Sequence, residues 1–185
     1  LLLGSYHAEK DNEADYRKAI EHFQRAIQLQ PDYALAYARL SRASMAFRAR
    51  GFTNDEGAMR TAAAKAIELD PNLGRAHWAM AWVMISDWDW AGAEQEARRA
   101  IALDPQQGYN AVLPFLQSIT GRHAESIAAS EYRVKVDPLS SGAHFTLGLF
   151  LFHARRYDDS LSHLKRSIDL EPRNYAANQM TVETN

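Results

Sequence analysis

The chain has 185 residues, 46% of them apolar, with only 9 glycines and 6 prolines, which describes a folded, helix-compatible protein and excludes a disordered or collagen-like one. A net charge of −2 carries no basic footprint for nucleic acid or anionic lipid. The absence of cysteine excludes disulfide scaffolds, thiol catalysis and zinc ribbons, and fits a reducing compartment.

Apolar residues at helical spacing predict helices in pairs along the chain. The first pair covers about 1–9 and 13–29, where Ile20, Phe23 and Ile27 form the stripe of the second helix. The second pair covers about 32–49 and 54–69, and Thr53-Asn54-Asp55-Glu56 has the form of a capping box for its second helix. The third covers about 73–86 and 89–103. The fourth covers about 107–119 and 122–136, and Pro114 inside its first helix is expected to kink or shorten it. Ser126, Ser130 and Arg133 stand where small or apolar residues are usual, so this pair is expected to be the most irregular. The fifth covers about 140–153 and 157–170, with a stripe of Leu161, Leu164 and Ile168, and 173–183 starts a further helix that caps the stack.

Five prolines share one context, a helix-ending apolar pair and then a polar or acidic residue: Pro31, Pro71, Pro105, Pro138 and Pro172. Their intervals are 40, 34, 33 and 34 residues. Proline lacks a backbone donor and pushes the residue before it out of the α region, so each one ends a helix. Small residues (Ala19 with Ala26, Ala93 with Ala100, and Gly148) recur where paired helices must approach closely. Tyr16, Trp90, His123 and Tyr157 open the second helices as wedges.

A helix–turn–helix unit of 34 residues resembles the tetratricopeptide repeat (TPR) family. The resemblance implies an all-α, right-handed solenoid of about five helix pairs and a partial capping helix. The array is a single domain over 1–185, with repeats at about 1–31, 32–71, 72–105, 106–138 and 139–172 and a cap at 173–185. The six extra residues of the second repeat are expected around Arg50–Asp55, lengthening its inter-helix turn. Glu13–Ala43 (EADYRKAIEHFQRAIQLQPDYALAYARLSRA) and Asp87–Pro105 (DWDWAGAEQEARRAIALDP) further resemble TPR segments of bacterial multidomain signalling proteins. In that group the array lies C-terminal to an adenylate/guanylate cyclase, a winged-helix regulator or a Ser/Thr kinase domain. The chain starts without methionine and ends on a polar stub, and is read as a segment of such a longer, cytoplasmic protein.

In a TPR superhelix the first helices line the concave groove. The inward columns hold Ala38, Arg42 and Met45, then Trp78, Trp82 and Ile85, then Ala111, Phe115 and Ser118, then Phe145, Leu149 and Phe152. Arg39, Arg42 and Arg75 give the groove a basic edge. Aromatic and arginine clusters are typical binding hot spots, so these residues form the candidate surface for an apolar or amphipathic protein segment. The alternative is that several of the aromatics are core between repeats. The Lys and Asn of a terminal-carboxylate clamp are missing from these columns. Trp88 and Trp90 either form an exposed aromatic knob or act structurally, with Trp90 as the wedge and Trp88 covering the turn.

No two histidines stand four apart beside a glutamate, so no metal is expected, and His77 and His144 share a column that points to packing. Asp158-Asp159 and Glu94/Glu96 read as solvated helix surface. No P-loop, dinucleotide turn or nucleophile elbow is present, which leaves no catalytic residues and no cofactor for this segment. No apolar run approaches the roughly 18 residues of a membrane span, and Leu1-Leu2-Leu3 is too short for a signal peptide. The leading function is a protein-interaction module of a signalling protein, and the alternative is homo-oligomerisation of the parent.

Overall fold

The computed structural model describes residues 1–8, 12–52, 57–105, 112–172 and 174–184, and Thr53-Asn54-Asp55-Glu56 and Ala111 lie outside them. Among the described residues there are eleven helices and no strand: α1 (Leu2–Ala8), α2 (Glu13–Leu29), α3 (Ala34–Ala49), α4 (Gly57–Leu69), α5 (Gly74–Ser86) and α6 (Trp90–Leu103), followed by α7 (Val112–Ile119), α8 (His123–Val136), α9 (Ser141–His153), α10 (Tyr157–Leu170) and α11 (Tyr175–Thr184). They form two compact units, Leu1–Val112 and Leu113–Asn185.

Helix ends follow the proline rule residue by residue. Gln30, Asp104, Asp137 and Glu171 each sit just before a proline with extended or near-extended backbone, and each donates its N–H to the carbonyl four residues back. The turns inside the pairs are made differently. Gly51, Trp88, Gly121 and Arg155 all have positive φ, between 60° and 83°. The residue after each donates back five positions: Phe52 to Phe47, Asp89 to Met84, Arg122 to Gln117 and Arg156 to Leu151. This is the Schellman ending, which satisfies a helix's last carbonyls through one left-handed residue. Two of the four positions carry glycine; Trp88 and Arg155 hold the same backbone against the steric preference of L-residues.

In the first unit α3 packs on α2, α4 and α5, and α5 on α6. Ala19 is fully buried with Phe23 and Ala43, and Ala38 with Ala66 and Ala76. A β-carbon on Gly4 would lie 2.6 Å from the Phe23 ring, so that glycine sets how closely α1 approaches α2. Only part of the second repeat's excess lies in its turn. α3 ends 18 residues after Pro31, whereas α5 ends 15 after Pro71, so three of the extra residues lengthen the helix. Phe52 then folds back onto Phe47, with ring centroids 5.5 Å apart.

In the second unit α9 packs on α8 and α10, and α11 covers α10 as the expected cap. The described part of α7 runs from Val112 to Ile119 and includes Pro114, and the residues before it that the sequence places in the same helix lie outside the described ones. The expected irregularity does not extend to α8, a 14-residue helix like α6 and α10. Ser126 and Ser130 are buried there, and their hydroxyls donate to the carbonyls of His123 and Ser126. Serine thus serves as the small residue of the column, with its polar atom satisfied inside its own helix.

Candidate functional site

Within the first unit, helices α1, α2, α3 and α5 enclose a cavity of about 200 Å³. Its lining includes Ser5, Tyr16, Phe23, Arg39, Arg42, Arg75 and Trp78, with Ala8, Ala43 and Ala46. Tyr16, Phe23, Ala43 and Ala46 are buried and form the floor, whereas Arg39, Arg75 and Trp78 are half-buried and Arg42 is exposed at the mouth. Helical spacing produces this convergence. Arg39 and Arg42 are three apart on α3, and Arg75 and Trp78 are three apart on α5, so each pair lies on one helix face.

Several contacts hold the charged groups in place. Arg39 Nη1 donates to Ser5 Oγ, tying α3 to α1. The Arg42 guanidinium lies over the Trp78 ring, 5.3 Å from its centroid, and Arg50 lies over Tyr16 at 5.1 Å. Desolvation, and secondarily the Arg50 charge, lower the Arg42 pKa, while Tyr16 acts in the opposite sense. Arg42 nonetheless keeps an exposed edge, and a guanidinium stays protonated. Trp82, one turn further along α5, meets Trp78 edge-on with centroids 6.4 Å apart.

The structure thus brings together five of the predicted residues in this unit: Arg39, Arg42, Arg75, Trp78 and Trp82. Ala38 and Met45 belong elsewhere. Ala38 is fully buried between helices, and Met45 packs against the Met59, Ala63, Ala79 and Val83 cluster. Tyr16 and Ser5 were not assigned to the site from sequence. Tyr16 stands in the wedge column of the sequence, and Ser5 carries no signal beyond its place on α1.

In the second unit Phe115 and Leu149 pack against the cluster of Ile127, Leu147, Phe150 and Leu151, so much of their surface is core between helices. Ser118 is also buried, within 2.7 Å of His153 Nδ1. Phe145 and Phe152 are half-buried, and Phe152 meets Tyr157 edge-on at 5.6 Å.

The histidine column is polar packing, as its spacing suggests. His77 Nε2 lies 2.8 Å from the Pro71 carbonyl and Nδ1 lies 2.6 Å from Glu96. His144 repeats this register, with Nε2 at 3.1 Å from the Pro138 carbonyl and Nδ1 at 3.0 Å from His163 Nδ1. Each histidine therefore pins its own helix to the proline turn before it and to the following helix. Burial, and then the neighbouring His144, hold His163 below the ordinary histidine range, against Asp159 and Glu131. Burial and His123 do the same to His153. Among the described residues, no group of three or more His, Asp or Glu side chains has metal-binding geometry.

Trp88 and Trp90 divide the two roles proposed for them. Trp90 is half-buried at the start of α6, while Trp88 is 77% exposed and does not cover the turn. Its ring stands edge-on to Trp90, centroids 5.3 Å apart. Among the wedge positions Tyr16 is buried but Tyr157 is exposed, so that column is not uniform.

A tetratricopeptide repeat family model matches residues 9–33. The search among curated proteins gives no match. Among solved structures, the thermophilic TPR protein TTC0263 of Thermus thermophilus has a TM-score of 0.77 at 11% identity, over 92% of this chain and 91% of that one. YrrB, described as a TPR protein with an unusual peptide-binding site, has a TM-score of 0.57 at 15% identity, over 93% of each chain. The human IFIT1 dimer with m7Gppp-AAAA has a TM-score of 0.79 at 14% identity, over 98% of this chain but 46% of that one. These likenesses show that the fold is TPR-like and all-α.

Proposed function

We propose that this chain is a protein-interaction module that binds an apolar or amphipathic segment along the faces of its first helices. The observation that carries this reading is the joint presence of Arg39, Arg42, Arg75 and Trp78 around one solvent-facing cavity, with Trp82 beside them. Stacked aromatic and guanidinium groups at an open cavity are the composition of binding hot spots. YrrB, of similar fold, carries a peptide-binding site by its description. Phe145, Phe152 and the outer parts of Phe115 and Leu149 are the candidate surface of the second unit, in a chain read as a single array over 1–185. The stretches Glu13–Ala43 and Asp87–Pro105 favour a larger intracellular signalling protein as the parent, with catalysis in another domain.

Peptides selected from a random display library on the immobilised chain test the reading. Trp82→Ala combined with Phe145→Ala, both half-buried, is expected to weaken the selected peptides about tenfold or more, with far-UV circular dichroism unchanged. Binding at full strength in that double variant refutes the first-helix faces as the site. Light scattering separates this function from homo-oligomerisation, since a monodisperse monomer at high concentration excludes the latter.

A further inference from the structure

Helix α8 has two faces, and the outer one departs from those of the other second helices. Its inner face holds Ser126, Ile127 and Ser130, which are buried, with Val134 packed on the Leu147, Phe150 and Leu151 cluster of α9. Its outer face carries Ala124, Ala128, Tyr132 and Val136, all exposed and each four residues from the next, so they form one stripe along the helix. Leu139 follows in the turn and is exposed as well. Tyr132, Val136 and Leu139 are 68%, 65% and 69% exposed.

In register with the proline that ends each second helix, this stripe is unlike the others. Six residues before that proline stand Arg25, Lys65, Arg99 and Arg166 in the other four repeats, against Tyr132 here. Ten before it stand Glu21, Thr61, Gln95 and Ser162, against Ala128. One after it stand Asp32, Asn72, Gln106 and Arg173, against Leu139. Three columns that are polar in the other four repeats are therefore apolar in this repeat alone. Helix pairing does not require the change, because four second helices of the same array carry polar residues in those columns. An exposed apolar stripe that departs from its own repeat marks a surface that meets a partner.

The stripe fits a second copy of itself. It is small at one end, with Ala124 and Ala128, and large at the other, with Tyr132 and Val136. Two α8 helices laid antiparallel about the midpoint between Ala128 and Tyr132 set each Tyr132 on the partner's Ala128 and each Val136 on the partner's Ala124. These are the reciprocal contacts of a two-fold interface. Glu131 and Lys135, both exposed, stand one turn apart on one flank of the stripe. The antiparallel arrangement brings the Glu131 of each copy beside the partner's Lys135. A parallel one opposes Tyr132 to Tyr132 and like charge to like.

We propose that the outer face of α8 is a dimerisation surface, on which a second copy of this chain packs antiparallel with its Tyr132 over the shallow strip of Ala124 and Ala128. One helix face per copy falls below the roughly 1,200 Å² of a stable interface, so the dimer is reversible, with a Kd on the order of 10 µM. The face shares no residue with the first helices, so the proposal stands independently of the peptide-binding reading.

Sedimentation velocity on the full chain from about 1 to 300 µM brackets that Kd. The average mass is expected to climb from the 20.9 kDa of one chain toward that of two. Tyr132→Arg with Leu139→Asn restores the residue classes of the other repeats, and is expected to raise the Kd about tenfold or more with far-UV circular dichroism unchanged. Glu131→Lys and Lys135→Glu are each expected to raise it about threefold to tenfold at low salt. Combined in one chain they exchange the two charges and restore the original Kd.

A chain that stays monomeric throughout the range overturns the proposal, as does an unchanged Kd in the folded Tyr132→Arg, Leu139→Asn variant. A charge exchange that fails to rescue the single variants overturns the antiparallel pairing and the proposal with it. So does a dimer lost in Trp82→Ala with Phe145→Ala, which places self-association on the first helices. A monomer drawn onto neutral lipid vesicles through Tyr132 assigns the face to a membrane surface, which also overturns it. Peptide binding is expected to be equal in the Tyr132→Arg, Leu139→Asn variant and the unmodified chain, so failure of either reading is seen without the other.

Discussion

The contact between α9 and α10 depends on one missing methyl group. A β-carbon on Gly148 would sit 2.9 Å from Leu164 Cγ, 3.0 Å from Leu164 Cδ2 and 3.3 Å from the Ser160 carbonyl oxygen. Leu164 is fully buried, and the Ser160 hydroxyl donates to the Gly148 carbonyl at 2.7 Å, so neither neighbour withdraws freely. Gly148→Ala gains about 1 kcal/mol of helix propensity and loses about 1–3 kcal/mol to overpacking. Gly142, six residues earlier on the same helix, has nothing within 4 Å of the place a β-carbon would take, so Gly142→Ala gains propensity without the clash. The two variants are therefore expected to differ by about 1–3 kcal/mol, or roughly 2–4 °C in thermal midpoint for each kcal/mol, followed by circular dichroism. Leu164→Ala alone costs about 2–5 kcal/mol. In that background Gly148→Ala turns close to neutral or favourable, leaving a coupling of about 1–3 kcal/mol between the two sites. Equal midpoints for Gly148→Ala and Gly142→Ala, or strict additivity with Leu164→Ala, refute the argument that close approach at Gly148 sets the helix spacing.

Three further outcomes are expected. Trp88→Gly and Arg155→Gly, each relieving a left-handed non-glycine residue, raise stability in denaturant by about 0.5–1 kcal/mol, whereas Gly121→Ala lowers it by about 1 kcal/mol; a loss in both glycine variants refutes the strain assignment. His77→Leu leaves Glu96 and the Pro71 carbonyl without their partner and costs about 2 kcal/mol in urea denaturation; a neutral result removes His77 from the set of helix pins. His163 and His153 are held below their ordinary value of 6.5, so the unfolded chain takes up protons first as pH falls. Their contribution is therefore complete above pH 6.5 and is lost as pH drops below it through the folded-state values, and His163→Gln flattens the slope between pH 7 and 5; an unchanged slope refutes that assignment.

Sequence alone determined the helix pairs, because the rule that ends each second helix is local. A proline excludes its own N–H from the ladder and forces the residue before it into extended backbone, and Gln30, Asp104, Asp137 and Glu171 all obey. The arginines and tryptophans of the site were legible for a related reason, since spacings of three and four place them on one helix face whatever the partner. Only the tertiary structure decided which side chains face a cavity and which face a neighbouring helix. Ala38, Phe115 and Leu149 share a periodic face with Arg42 and Trp78, yet the first is fully buried and the other two pack into an inter-helix core. Periodicity gives the direction of a side chain around its own helix and not the distance to the next one. That distance is set by contacts such as Gly4 on Phe23 and Gly148 on Leu164, between residues far apart in the chain. The same limit explains Trp88, whose exposure follows from a left-handed backbone that a turn normally reserves for glycine.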